Sequence, residues 1–411
     1  MEIDIRTQRP LIVFIALLTG MLSVASADEI EDAEKEELAK QQAFRTGFEA
    51  IVDDLNGGSL EKLARAVDQQ DLFERILGLR LISQKVKRNF IESYALSTDR
   101  SAPAFKDSRF YYLISTGFTA PGDGVKATLL GLESRADFGR AVVRFDLKNL
   151  QFSYHVYDLR LDKQGHVVVV DWTDYADGLR FSESIARPLI MVAPSNAAMR
   201  KLLDFQNARE RDLFQFGELL KAARDRRLDR YLELRDLLDP RFQRQRIVVE
   251  TSVHLAKLVR KRRQMVAGLQ IMAEHFPEEP LYSLMLLDYY FPSKKYEEAF
   301  QALQRLFDAL DVDDAAMEAR LSAAALVMEN MADALAYAEA AVAREPGLEL
   351  GWWSVLSARA ATSDYAGAVL ALQQLQQQFG HDLSPEALGR NRAYAQLLAS
   401  VEYTAWRESL K

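Results

Sequence analysis

The chain has 411 residues, a hydrophobic share of 49% and a formal net charge of -8 at pH 7. This length supports two or three domains, and the acidic balance argues against general binding to polyanions. The absence of cysteine excludes disulfides, thiolate metal sites and cysteine nucleophiles. The five histidines, His155, His166, His254, His275 and His381, show no ligand spacing, so neither a metal nor a cofactor is expected.

At the start, Arg6 and Arg9 precede an apolar run from Leu11 to Val24, which meets Ala25-Ser26-Ala27 and the acidic Asp28-Glu29-Ile30-Glu31-Asp32. This is the layout of a secretory signal peptide cut after Ala27. The run is 14 residues long, short of the roughly 20 a spanning helix needs. Residues 1–27 are therefore expected to direct export to a bacterial periplasm, with retention as an N-terminal membrane anchor as the alternative.

From about Glu34, Phe44, Phe48, Ile51, Val52 and Leu55 share one helical face, and Asn56-Gly57-Gly58-Ser59 breaks it. A second amphipathic helix carries Leu60, Leu63 and Val67. A third, longer run from Asp71 to Tyr94 carries Leu72, Ile76, Leu79, Ile82, Val86 and Phe90. After Asp99-Arg100-Ser101 the pattern changes to period two, rich in β-branched and aromatic residues, and predicts strands at 108–118, 127–134, 140–147, 152–161 and 166–173. The links are short: Pro121-Gly122-Asp123-Gly124, Asp137-Phe138-Gly139, Lys148-Asn149-Leu150 and Asp162-Lys163-Gln164-Gly165. Such links make neighbouring strands antiparallel. The expected domain is α+β, a curved antiparallel sheet with helices packed on one face.

Helices followed by a meander ending in Val168-Val169-Val170-Asp171-Trp172 resemble the nuclear transport factor two-like cone, shared with ketosteroid isomerases and many non-catalytic bacterial domains. The resemblance covers residues 34–188. The segment from Asp171 to Gly178 also resembles the final strand and exit of exported proteins that join such a cone to helical repeats. A cone implies a pocket, in which Asp171 or Asp174 would act as a base and Tyr154, Tyr157 or His155 would donate to an oxyanion. Alternation places Tyr154 and His155 on opposite faces, and Asp171 and Asp174 likewise, so these residues do not all share one cavity. The plainer reading of the same residues is a packing surface for the tyrosines and a cap for an Asp at a strand end. No residue is expected to be catalytic.

Pro188 to Pro194 reads as an apolar turn closing this domain, with Ser195-Asn196 capping a new helix. Residues 195–278 read as a helical linker with one degenerate repeat, in which Met265 precedes Ala299 by 34 residues. Residues 200–264 hold 18 Lys or Arg against 10 Asp or Glu, whereas residues 274–350 hold 5 against 16. The basic runs Arg224-Asp225-Arg226-Arg227 and Arg260-Lys261-Arg262-Arg263 have no interleaved aromatics, which excludes nucleic acid as the expected partner and leaves open contact with a membrane surface.

From residue 280 to 411 a helical pattern recurs. Ala299, Ala334 and Ala368 mark small positions 35 and 34 residues apart, and Trp352, Tyr365, Ala366-Gly367-Ala368 and Leu372 form the clearest copy. This period and order resemble the tetratricopeptide repeat, in which pairs of antiparallel helices stack to complete a core. The resemblance implies a concave groove lined by the leading helices, here Leu281, Leu284 and Asp288, then Ala319 and Ala323, then Trp353, Ser357 and Ala360. That lining is apolar and would take an apolar or amphipathic partner segment. Ser384-Pro385-Glu386 starts a terminal helix expected to cover the last repeat; that helix, or the cone itself, filling the groove is the alternative. The function expected is a non-catalytic protein-protein interaction scaffold of the cell envelope. A small-molecule site or a ketosteroid-isomerase-like enzyme in the cone is the rival.

Overall fold

The computed structural model describes residues 27–78, 82–94, 103–118, 125–192 and 210–410. The expected signal segment, the helical position Leu79, the turn at 121–124 and the helix start at Ser195-Asn196 lie outside the described residues. An α+β domain comes first and an all-helical repeat array follows.

Helix α1 (Ala27–Asn56) buries Phe44, Phe48, Ile51, Val52 and Leu55 against the sheet. Asn56 ends it, and its side-chain amide bonds both the N–H and the C=O of Ala127, at 2.7 and 2.9 Å, as a neighbouring strand would. Helix α2 (Glu61–Ala66) follows. The run expected as one helix from 71 to 94 is two, α3 (Gln69–Gly78) and α4 (Gln84–Tyr94), and the Ser83 hydroxyl accepts from the Val86 N–H to start the second.

The segment 108–118, expected as a strand, is helix α5 (Arg109–Gly117). Ser108 caps it by accepting from Tyr111 N–H at 3.0 Å. Phe110, Leu113 and Ile114 are buried while Tyr112 is 66% exposed, which is helical spacing. Cap and packing together override the β-forming composition.

The four later strands fall within two residues of expectation: β1 (Lys126–Arg135), β2 (Phe138–Asp146), β3 (Phe152–Leu161) and β4 (Val167–Asp174). The short β5 (Leu179–Arg180) completes an antiparallel meander in chain order. Ala141, Val143, Phe145, Tyr157, Leu159, Val169 and Trp172 face the N-terminal helices. Val142, Tyr154 and Val156 lie in a different cluster, with Leu303, Leu306, Leu310, Met317 and Leu321 of the array. Both sheet faces are therefore buried. Instead of an apolar turn at Pro188, helix α6 (Phe181–Val192) leaves the sheet with Pro188 on its exposed side.

Among the described residues the array contains five helix pairs. They are α7 (Glu210–Arg224) with α8 (Leu228–Asp236); then, after the short α9 (Pro240–Gln243), α10 (Arg246–Leu258) with α11 (Arg262–His275); α12 (Ser283–Tyr290) with α13 (Tyr296–Leu310); α14 (Ala315–Val327) with α15 (Met331–Arg344); and α16 (Glu349–Ala361) with α17 (Tyr365–Phe379). The turn inside each pair has one geometry. Arg226, Arg260, Lys294, Glu329 and Ser363 take left-handed φ of 55° to 61°, at spacings of 34, 34, 35 and 34 residues. The next residue's N–H reaches back five residues, as from Arg227 to the Ala222 carbonyl and from Asp364 to the Arg359 carbonyl, both at 2.9 Å. This pattern closes the leading helix and turns the chain back. Residues 210–275, read from sequence as linker with one weak repeat, thus hold two further pairs. Their crossing positions carry Tyr231 and Met265 where later pairs carry Ala299, Ala334 and Ala368, which hid the period. Tyr231 is fully buried and its hydroxyl bonds Val248 C=O at 2.8 Å, tying the first pair to the second.

The terminal helix expected from Ser384 is three short pieces, α18 (Pro385–Leu388), α19 (Ala395–Leu398) and α20 (Val401–Ser409). Ser384 and Ser400 cap the first and last by accepting from Ala387 and Tyr403 N–H groups. Leu388, Tyr394, Leu397, Tyr403 and Trp406 cover the fifth pair, while Val401 is 77% exposed.

Candidate functional site

Two buried ionic hubs fasten the α+β domain to the array, one through the sheet and one through helix α6. Arg144, near the C-terminal end of β2, is fully buried. It donates to Asp146 at 2.7 Å, to Glu345 at 2.8 Å and to Asp314. Asp314 also accepts from the Tyr154 hydroxyl and, as the cap of α14, from Met317 N–H at 3.0 Å. Burial opposes the charge on Arg144, but Asp314, Asp146 and Glu345 outweigh it and raise its pKa. Burial first, then the Asp314 charge, push the Tyr154 phenol well above its ordinary value.

The second hub is Glu250 on α10, 1% exposed. It accepts from Arg187 of α6 at 2.5 Å, from Arg246 at 2.9 Å and from the Tyr282 hydroxyl. Burial would raise its pKa, but Arg187, Tyr282 and Arg246 hold it below the ordinary carboxylate value. Around the hubs, Arg140 donates to Leu310 C=O at 3.0 Å and Arg320 to Leu150 C=O at 2.6 Å. His254 bonds the Asp177 carbonyl at 2.6 Å.

The four residues proposed for a cone pocket divide between the sheet's faces. Tyr154 points at the array. Asp171 is a cap: it accepts from Ser182 N–H at 3.1 Å and Ser182 hydroxyl at 2.6 Å at the start of α6, and from Arg180 at 3.1 Å. His155 and Asp174 come together on the inner face, with Nε2 3.4 Å from the carboxylate. The other ring nitrogen lies 3.2 Å from the Tyr157 hydroxyl. Burial raises the Asp174 carboxyl, but the His155 charge and hydrogen bond outweigh it and hold it below its ordinary value; burial pushes Tyr157 well up. This line of three groups can hold or pass a proton. Aromatic rings of Phe118 and Phe145 lie against His155, at centroid distances of 5.0 and 4.6 Å, and Trp172 stacks on Phe181 at 3.9 Å.

The eight groove positions do not form one open lining. Leu284 packs in the cluster beneath the sheet. Ala319 and Ala360 are buried, and Leu281 lies under Gly178 at the sheet's exit. Trp353 and Ser357 are half-buried by the C-terminal segment: His381 stands edge-on to Trp353 at 5.3 Å, and Tyr394 bonds Ser357 at 2.9 Å. Only Asp288 and Ala323 are exposed. The physical reason is that Leu284 is covered by the sheet and Trp353 and Ser357 by the chain's own terminus, as the alternative reading named, while Ala319 packs against Ala341, Leu348 and Leu350 of the following helices and the turn between them. A surface groove of about 660 Å³ does exist elsewhere, at the far end of β3, between Asp71, Glu74, Phe138, Asp158 and Arg160.

No protein-family model matches this chain, and no curated protein matches it in sequence. The site therefore rests on geometry alone. Among the described residues, no group of three or more His, Asp or Glu side chains is placed to hold a metal ion, and no helix is long and apolar enough to cross a membrane. Arg144, Asp314, Glu345 and Glu250 were not singled out from sequence. The available signal was a charge inside an apolar run, Val142-Val143-Arg144-Phe145 and Val248-Val249-Glu250, because an unpaired charge there would be too costly to bury.

Proposed function

We propose that the chain is a non-catalytic protein-protein interaction scaffold of the bacterial cell envelope, in which the α+β domain braces the helical array and the array carries the partner contact. The observation that carries this reading is that both sheet faces are committed to packing. The inner face is filled by rings, the outer face is fastened to the array through Arg144, and helix α6 is fastened to the array through Arg187 and Glu250. The resemblances to a nuclear transport factor two-like cone and to tetratricopeptide repeats belong to the same reading. The first is supported by helices followed by an antiparallel meander, the second by turns recurring every 34 to 35 residues. Export rests on the charged start, the short apolar run and Ala25-Ser26-Ala27.

The partner anchor in this reading is Trp353. It remains half-buried, with its indole N–H held by Glu349 at 3.0 Å and His381 bonded to the same carboxylate at 2.7 Å. A half-open aromatic at the end of a rigid array suits an apolar or amphipathic partner segment. The test is capture from envelope extract with wild type and Trp353→Ala, both shown to be folded by circular dichroism. Loss of one defined partner in the variant is expected; equal retention removes Trp353 as the anchor.

A second reading draws on the Asp174, His155 and Tyr157 line, which supplies acid-base groups for a small-molecule site. Saturable binding or turnover of a small molecule by wild type, abolished in Asp174→Asn, would replace the scaffold reading.

A further inference from the structure

We propose that the turn tips of the first three helix pairs form a basic ridge that docks on an anionic lipid surface. Successive pairs in a stacked array run the same way, so the turns within the pairs share one end of the stack. Sequence places Arg226 and Arg227 at the first tip, Arg260, Lys261, Arg262 and Arg263 at the second, and Lys294 at the third. All seven are exposed, and none is ion-paired among the described residues. Several other cations of the array are matched: Arg235 with Asp236, Arg241 with Asp239, Arg305 with Glu278, Arg344 with Glu318. The exposed ones that have no ion pair among the described residues, such as Arg244, Arg390 and Arg392, are not gathered four in a row as at the second tip. An acidic protein that leaves its most concentrated cations unmatched presents a surface for an anionic partner.

Packed helices lie about 10 Å apart, and the Debye length at physiological salt is about 8 Å. Neighbouring tips are therefore largely screened from one another, and the second tip, with four consecutive cations, carries most of the charge that meets the lipid. Leu258, 56% exposed in the last turn before the second tip, places an apolar side chain among the cations. Cations around an exposed apolar side chain suit the headgroup region, where the charges meet lipid phosphates and the leucine enters the acyl boundary. Nucleic acid is the poorer fit because no exposed aromatic stands at these tips to stack a base. The later tips carry Glu329 and Asp364. The ridge therefore ends at the third pair, and only the first half of the array would face the lipid.

The experiment is vesicle flotation of the full chain. It compares phosphatidylcholine vesicles with vesicles in which about a third of the lipid is phosphatidylglycerol. The ratio between the two cancels any contribution from the apolar residues 11–24. The ridge variant combines Arg260→Gln, Lys261→Gln, Arg262→Gln and Arg263→Gln. The control removes four exposed cations of the first domain, Arg45→Gln, Lys62→Gln, Lys85→Gln and Arg88→Gln, and circular dichroism verifies both folds. Each basic residue held at such a surface contributes about fivefold in binding. Wild type is expected to prefer the anionic vesicles, the ridge variant to lose that preference by about 600-fold, and the control to keep most of it. Salt near 1 M, where the Debye length is about 3 Å, should abolish it. Equal flotation with both lipids, retention by the ridge variant, or an equal loss in the control each overturns the proposal. So does tight binding of a single-stranded oligonucleotide with no flotation, which would assign the ridge to nucleic acid.

Discussion

Replacing Arg144 by Met removes the guanidinium while keeping an unbranched side chain of similar length in the sheet-array junction. Its three carboxylate partners respond differently. The side chains of Asp146 and Glu345 are 25% and 24% exposed and can recover water, but that of Asp314 is 1% exposed. The cost therefore concentrates on Asp314, which keeps only the Tyr154 hydroxyl and the Met317 N–H for its charge. Breaking a buried pair from one side costs about 3–5 kcal/mol. With a urea slope of about 3 kcal/mol/M, the unfolding midpoint should fall by about 1–1.7 M. Adding Asp314→Asn removes the stranded charge yet preserves the cap and an acceptor for Tyr154, so the double variant should recover about half the loss. Urea unfolding followed by tryptophan fluorescence and far-ultraviolet circular dichroism measures both. A loss below about 1 kcal/mol, or a double variant less stable than Arg144→Met, would refute the reasoning, because a satisfied buried hub requires both effects.

Further outcomes follow from other parts of the fold. Tyr154→Phe removes one hydrogen bond to the buried Asp314 charge and should cost about 1.5–3 kcal/mol in the same assay. Glu250 has a folded pKa below its ordinary 4.5, so its stabilisation is full above that value and is lost as pH falls through the depressed one. Glu250→Gln should therefore lower stability at neutral pH by about 3 kcal/mol and flatten the loss of stability below pH 4.5, read from urea midpoints across pH. At the left-handed turn positions, Glu329→Gly and Ser363→Gly relieve about 1 kcal/mol of strain and return about half of it to unfolded-chain entropy. Each should stabilise by about 0.5 kcal/mol, detectable as a raised Tm in calorimetry.

The α+β order, four of the strands and the last three helix pairs were legible because period and turn chemistry agree there. Alternation carries β2 to β4, and the small crossing residues Ala299, Ala334 and Ala368 mark the pairs. Where a bulky residue fills the crossing, as Tyr231 and Met265 do, the same turn persists in the backbone without its composition. The left-handed turns at Arg226 and Arg260 carry no glycine to announce them. The stretch 108–118 has strand composition, yet Ser108 and the face of Phe110, Leu113 and Ile114 make it a helix. In the candidate site, period two separates Tyr154 from His155, and cross-strand register joins His155 to Asp174. What sequence could not supply was the identity of the surface that covers the array. Leu284 looks like a groove residue until the sheet is laid over it, and the segment around His381 and Tyr394 leaves Trp353 only half open.

Site-specific photo-crosslinking in living cells tests the scaffold reading most directly. A photoreactive residue replaces Trp353 in one variant and Phe138, 68% exposed beside the open groove of the α+β domain, in another. The expected result is one defined protein adduct from position 353 and none from position 138. An adduct from 138 alone, or none from 353 in a folded and exported variant, would contradict partner recognition by the array.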